Sequence, residues 1–169
     1  MRIFLVGFMG CGKTTLGSRL ATKLKYQFMD LDKVLEASAG MAIAEYFKKF
    51  GEERFREFER DILQTTAYPD NVIVSTGGGA PCFFDNMDWM NRNGTTIYIS
   101  MSPKALAGRL KGGKNERPLI KDLSEEQLVD FIHSRLAERS VFYDKAQHII
   151  SGLDISPEKV IEVLKPQLK

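Results

Sequence analysis

The sequence predicts a three-layer α/β fold with a largely parallel sheet. Two observations predict it. Short apolar runs alternate with helical patterns along the chain. Between the first such run and the first such pattern lies Gly7-Phe8-Met9-Gly10-Cys11-Gly12-Lys13-Thr14-Thr15, a phosphate-loop pattern with Gly7, Gly12, Lys13 and Thr14 on its specified positions.

Ile3-Phe4-Leu5-Val6 is apolar throughout, as a strand buried on both faces requires. The loop follows it directly. Glycines let backbone N–H groups turn inward without a Cβ in the way, and the helix N-terminus adds partial positive charge. Lys13 then reaches the β- and γ-phosphates of a nucleotide, and the Thr14 hydroxyl holds Mg²⁺. The remaining backbone donors come from Gly10, Cys11, Gly12 and Thr15. Helical spacing runs from Thr14 to about Lys25, and Gln27–Met29 reads as a weaker strand.

Asp32 to Ala67 reads as a helical insertion broken at Gly40 and Gly51, with Phe47, Phe50, Phe55 and Phe58 at helical spacing and mostly core. Val72–Ser75 is the next clear strand. It ends not in an acidic residue but in Thr76-Gly77-Gly78-Gly79, a backbone that a ligand can approach closely. Thr96–Ser100 is a third clear strand and His148–Ile150 a weaker one. Helices are expected over Leu123–Tyr143 and Ser156–Leu164. Residues 111–122, polar, glycine-rich and basic, read as a mobile lid that closes an arginine over phosphates. The whole of 1–169 reads as one domain with two appendages.

The bulk numbers exclude several classes. With 24 basic against 22 acidic residues and a formal charge of +2, nucleic acid is not an expected partner. No stretch is long and apolar enough for a membrane span, and the apolar start is too short and too glycine-broken for a targeting signal. Two cysteines with no metal-ligand spacing suit a reduced, cytoplasmic protein. A guanine-reading Asn-Lys-x-Asp motif is absent.

Acidic chemistry is expected from Asp30-Leu31-Asp32. In an extended stretch both carboxylates face the same side. One could help hold Mg²⁺ while the other accepts a proton from a substrate hydroxyl, and Asp32 could also cap the helix that follows. Arg54, Arg56 and their acidic neighbours could be a solvated helix face. Arg135 and Arg139 share a helical face that ends in Tyr143, and arginines converging on one cleft would point to an anionic second substrate.

Taken together, Gly7 to Thr15, Asp30-x-Asp32, Phe55-Arg56-x-x-Glu59, Gly77-Gly78-Gly79 and Arg117-Pro118-Leu119 resemble the shikimate kinases, in order and spacing and over essentially the whole chain. The resemblance implies ATP- and Mg²⁺-dependent phosphorylation of the 3-hydroxyl of shikimate, in the aromatic amino-acid pathway. It implies five parallel strands, as in the nucleoside monophosphate kinases. It places Asp32 on the substrate hydroxyls as base, Arg56 and Arg139 on the carboxylate, and Gly77, Gly78 and Gly79 along the substrate. Arg117 becomes the lid arginine, and Asp32 to Ala67 the substrate-binding appendage. Catalysis then rests on Lys13, Asp32 and Arg117, with Thr14 and Asp30 at the metal.

The chain departs from the family pattern in three places. Val141 stands where proline is usual, and Cys11 where serine or alanine is commoner. Leu110 replaces a residue that is often basic near the adenine, which leaves Arg109 to stack there. A monomer is expected. The alternatives are another small-molecule kinase, for gluconate or a nucleoside monophosphate, and a non-catalytic nucleotide-dependent binding module.

Overall fold

The computed structural model describes residues 1–113 and 120–168. Five strands form one sheet in the order β2-β3-β1-β4-β5: β1 (Arg2–Val6), β2 (Gln27–Asp30), β3 (Val72–Ser75), β4 (Thr95–Ser100) and β5 (His148–Ser151). Every pairing is parallel. β1 lies at the centre, and Ile3 to Val6 have no solvent exposure. Ile3 and Leu5 enter the core on one face of the sheet, and Phe4 and Val6 enter the core on the other. That period-2 split, with both faces covered, is why the run is apolar without alternation.

The first core is covered by α1 (Lys13–Leu24), through Leu16 and Leu20, and by α7 (Pro157–Leu164), through Val160 and Leu164. The second is covered by α2 (Leu31–Ala39), α3 (Ile43–Thr65) and α4 (Asn86–Asn93), which contribute Leu35, Phe55, Leu63 and Met90. Between α4 and the remaining helix comes α5 (Pro103–Gly112). The long α6 (Glu125–Tyr143) begins in the first core with Leu128 and Ile132 and ends in the second with Tyr143. Among the described residues no helix is long and apolar enough to cross a membrane.

The expected strands and helices are present to within two residues at each end. Sequence patterning assigns no bounds to two further helices, α4 and α5. The start of α5 has a legible signal in Ser102-Pro103, where the Ser102 hydroxyl accepts from Ala105 N–H and proline occupies the first turn. The helical insertion breaks where its glycines stand. Gly40 caps α2 in the left-handed region, and Gly51 interrupts α3 with φ 84 and ψ 170. Of its phenylalanines, Phe55 is buried and Phe47 and Phe58 partly so, whereas Phe50 is exposed.

Leu5 pairs with Ser75 and Asp30 with Ser75, so β1, β2 and β3 end at one level. The chain leaves β1 for β2 at the sheet edge and returns with β3 between them. The carboxyl ends at such a reversal of strand order form the crevice where α/β folds bind ligands.

Candidate active site

A cleft of about 540 Å³ opens at this level. The phosphate loop forms one wall, with Gly10, Gly12, Lys13, Thr14 and Thr15 lining it. Gly12 sits at φ 95 before the first turn of α1, a torsion that favours glycine there. Cys11 does not line the cleft. Its thiol is fully buried, and Lys13 Nζ donates to Sγ at 3.7 Å. The same ammonium donates to Gly7 O at 2.7 Å and Phe8 O at 3.0 Å.

Asp30 and Asp32 both line the cleft, but not as neighbours on an extended strand. The strand ends at Asp30, whose Oδ1 accepts from Asp32 N–H at 3.0 Å and so caps α2. Asp30, not Asp32, is the cap, because its backbone is extended while Asp32 already lies in the first turn of α2. The other Asp30 oxygen, Oδ2, accepts from Thr14 Oγ1 at 3.3 Å, and Ser75 Oγ lies 3.4 Å from the same hydroxyl. Three oxygens thus converge beside the phosphate loop. One carboxylate with two hydroxyls suits Mg²⁺, a hard cation that takes few protein ligands and fills its shell with water and phosphate. Among the described residues no three His, Cys, Asp or Glu side chains form a metal cage. Ser75 was missed from sequence, since serine at a strand end carries no motif.

The opposite wall is Thr76, Gly77 and Gly78. A side chain on Gly77 would put its first carbon 3.0 Å from Asp32 Oδ1 and 3.4 Å from Glu59 Oε2. On Gly78 it would meet Met9 N at 3.3 Å and Arg139 Nη1 at 3.4 Å. On Gly79 it would strike Arg56 Nη1 and Nη2 at 2.6 Å. A side chain at any of the three would crowd a neighbour, and the charged groups implied by the family resemblance stand around these residues.

Arg56 is not a solvated helix charge. Its side chain is 11% exposed, Nη1 donates to Glu59 Oε1 at 2.8 Å, and the Phe83 ring lies 4.2 Å beneath its guanidinium. Its buried Nε–H finds no acceptor among the described residues. Glu59 is 1% exposed, and burial raises its pKa although Arg56 pulls the other way. Arg139 stacks on the Phe8 ring of the phosphate loop at 5.4 Å. Arg135, one turn earlier, is half-exposed and pairs with Glu138 at 3.5 Å, so it does not join the cleft.

Arg109 lines the phosphate side, where its guanidinium bridges Cys11 O at 3.3 Å and Gly152 O at 3.5 Å. Leu110 packs over Gly10 instead. Arg117 and most of the expected lid, residues 114–119, lie outside the described residues.

A phosphate loop, an Mg²⁺-type oxygen set and a glycine wall ringed by arginines and carboxylates are what the kinase resemblance requires. The family model described as SKI: Shikimate kinase matches residues 9–169. The chain belongs to the shikimate kinase family. It is 43% identical to the shikimate kinase of Bacteroides fragilis over 169 residues, covering 100% of this chain and 94% of that protein. Its structure is similar to the crystal structure of shikimate kinase from Bacteroides thetaiotaomicron, with a TM-score of 0.91 and 42% identity over 99% of this chain and 98% of the other. It is also similar to the shikimate kinase from Acinetobacter baumannii solved in complex with shikimate, with a TM-score of 0.83 and 30% identity over 99% and 95% of the two chains. As a member of the shikimate kinase family the chain is an ATP-dependent kinase that works with Mg²⁺.

Proposed function

We propose that this chain transfers the γ-phosphoryl group of ATP to the 3-hydroxyl of shikimate, with the residue roles that follow. The observation that carries the assignment is the Arg56 side chain. A buried guanidinium with one N–H lacking an acceptor, beside a glycine wall and next to a phosphate loop, fits a small anionic acceptor whose carboxylate completes the set. Arg139 is its partner from the other side.

Phosphoryl transfer asks the protein mainly for positioning and charge neutralisation. Lys13 and the backbone of Gly10 to Thr15 hold the phosphates. Thr14 and Asp30, with the Ser75 hydroxyl beside that of Thr14, would hold Mg²⁺, which would supply charge neutralisation to the nucleotide phosphates. Asp32, at the start of α2 and against Gly77, orients the acceptor hydroxyl and accepts its proton. Arg109 stacks at the adenine. Arg117, outside the described residues, keeps the lid role on the phosphates that the family resemblance implies, and residues 32–67 form the acceptor-binding appendage of one kinase domain. All of these residues belong to one chain, so a monomer suffices, and the free thiols Cys11 and Cys82 suit a reducing, cytoplasmic setting.

A coupled assay of ADP release with ATP, Mg²⁺ and a panel of acceptors tests this. Shikimate should be the preferred acceptor, a shikimate analogue without the carboxylate should be poor, and gluconate and nucleoside monophosphates should be inert. Preference for either of the last two, or no transfer to shikimate, would overturn it.

A further inference from the structure

Tyr143 is the largest side chain with no solvent exposure among the described residues, and the reaction as assigned gives it no task. Its ring packs on Tyr98 with centroids 5.0 Å apart, and its hydroxyl donates to Gly78 O at 2.5 Å across 65 residues of sequence. Burial raises its pKa, so the phenol stays a donor throughout the working range.

The bond matters because of where it acts. Three consecutive glycines form the freest backbone that a chain can have. Two of their carbonyls are fixed locally, Gly77 O by Ala80 N–H at 3.2 Å and Gly79 O by Cys82 N–H at 2.9 Å. The middle one, Gly78 O, is tied by a side chain from α6. In a planar trans peptide the carbonyl and the next N–H point opposite ways, so holding Gly78 O against Tyr143 turns the Gly79 N–H away from it. Tyr143 also lies one helical turn after Arg139, whose Nη1 would be 3.4 Å from a carbon on Gly78. One end of one helix therefore sets both the arginine and the backbone that it faces.

We propose that Tyr143 is a positioning residue of the acceptor site, which locks the Gly78 carbonyl so that the glycine wall and Arg139 meet the acceptor as one preformed unit. This rests on the assignment of shikimate as acceptor. The substitution Tyr143→Phe keeps the ring and removes only the hydroxyl. It should raise the KM for shikimate about three- to ten-fold, the worth of one net hydrogen bond, while the KM for ATP changes less than about two-fold. Tyr98→Phe, in the same ring cluster but away from the glycine wall, should leave both unchanged.

A merely structural tyrosine would lower the Tm of Tyr143→Phe and move neither KM, and that result overturns the proposal, as does an equal rise in both. A second measurement needs no variant. With tyrosines labelled at Cζ, the Tyr143 resonance of the intact protein should shift on saturation with shikimate, and an unmoved resonance overturns the proposal too. Failure of the wild type to bind or phosphorylate shikimate would instead overturn the functional assignment, so the two failures are distinct.

Discussion

On the phosphate side of the cleft, the donors come from nine consecutive residues, Gly7 to Thr15, and most of them are backbone groups. On the acceptor side, the groups come from residues 32, 56, 59, 77–79 and 139, and most of them are side chains brought together by tertiary packing. The first side relies on torsions available to glycine and on a helix N-terminus, so it is fixed as soon as β1 and α1 form. The second relies on a buried ion pair, Arg56 with Glu59. Its desolvation cost is offset only while both partners and their hydrogen bonds are in place. Substitutions on the acceptor side should therefore separate recognition of the acceptor from that of ATP.

The largest separation is expected from Asp32→Asn. Loss of a positioned base costs about 10²- to 10⁴-fold in kcat, while the ATP dissociation constant, measured by calorimetry, should stay near the wild-type value because Asp30 still caps α2 and faces Thr14. Equal loss of ATP binding would erase the division between the two sides. Next comes Arg56→Lys, which keeps the charge but loses the planar fork. We expect the KM for shikimate to rise about 10- to 100-fold, as for loss of a charge-assisted hydrogen bond, with little change for ATP. A variant that binds shikimate normally would return Arg56 to the role of a helix charge.

Glu59 offers a pH test of smaller size. Its carboxylate faces Arg56, Asp32 and Arg139, and burial raises its folded-state pKa above the ordinary 4.5. Above 4.5 the native state therefore holds the Glu59 proton more tightly than the unfolded chain does. Its contribution to stability is present at low pH and is lost as pH rises through the folded-state value. Recognition runs the other way. Protonation weakens the hold on Arg56, so shikimate affinity should fall, by up to about ten-fold, as pH drops toward that value. Glu59→Gln should flatten both trends in urea denaturation and in calorimetric binding. A Gln variant with the wild-type pH profile would remove Glu59 from the acceptor site.

The two cysteines, one on each side, offer a test of thiol reactivity instead of affinity. Cys11 is shut off from solvent, and burial pushes the Cys82 thiol up to about 11 despite Arg139 and Arg56 nearby. Alkylation of the folded protein near pH 7.5 should lag that of the unfolded chain by about two orders of magnitude at Cys82, because only the thiolate reacts. Fast labelling of native Cys11 would show that its loop opens.

The same contrast explains what the sequence could reveal. The phosphate loop is legible because its whole geometry is encoded in adjacent residues, and the sheet because buried parallel strands must be apolar. Gly40 and Gly51 mark the breaks in the insertion for equally local reasons. At Asp30-Leu31-Asp32 local reasoning fails, since nothing in the three residues says that the strand stops and a helix starts between them. The burial of Arg56 and Glu59 is illegible from a charge pattern that looks solvated, and only the family resemblance places them. The fragment Asn86-Met87-Asp88-Trp89-Met90-Asn91-Arg92-Asn93 forms α4 through what it packs against, not through propensity. The spacing of Arg139 and Tyr143 shows a shared helix face, but not that a glycine carbonyl lies opposite.

The break at Gly51 carries a mechanical consequence. Its φ of 84 with ψ of 170 is a region open essentially to glycine alone, yet nothing lies within 4 Å of where a side chain would start. Torsion and not crowding reserves the position. What reads as one 23-residue helix is therefore two rods joined at a fixed turn: the aromatic rod of Tyr46, Phe47 and Phe50, and the charged rod of Arg56 and Glu59. The turn folds the first rod back onto the second: Tyr46 stacks on Phe58 at 5.0 Å, Phe47 lies 4.3 Å from Phe55, and the Arg56 guanidinium stands 5.8 Å from the Phe47 ring. A shift of the aromatic rod is therefore felt at the arginine that grips the acceptor.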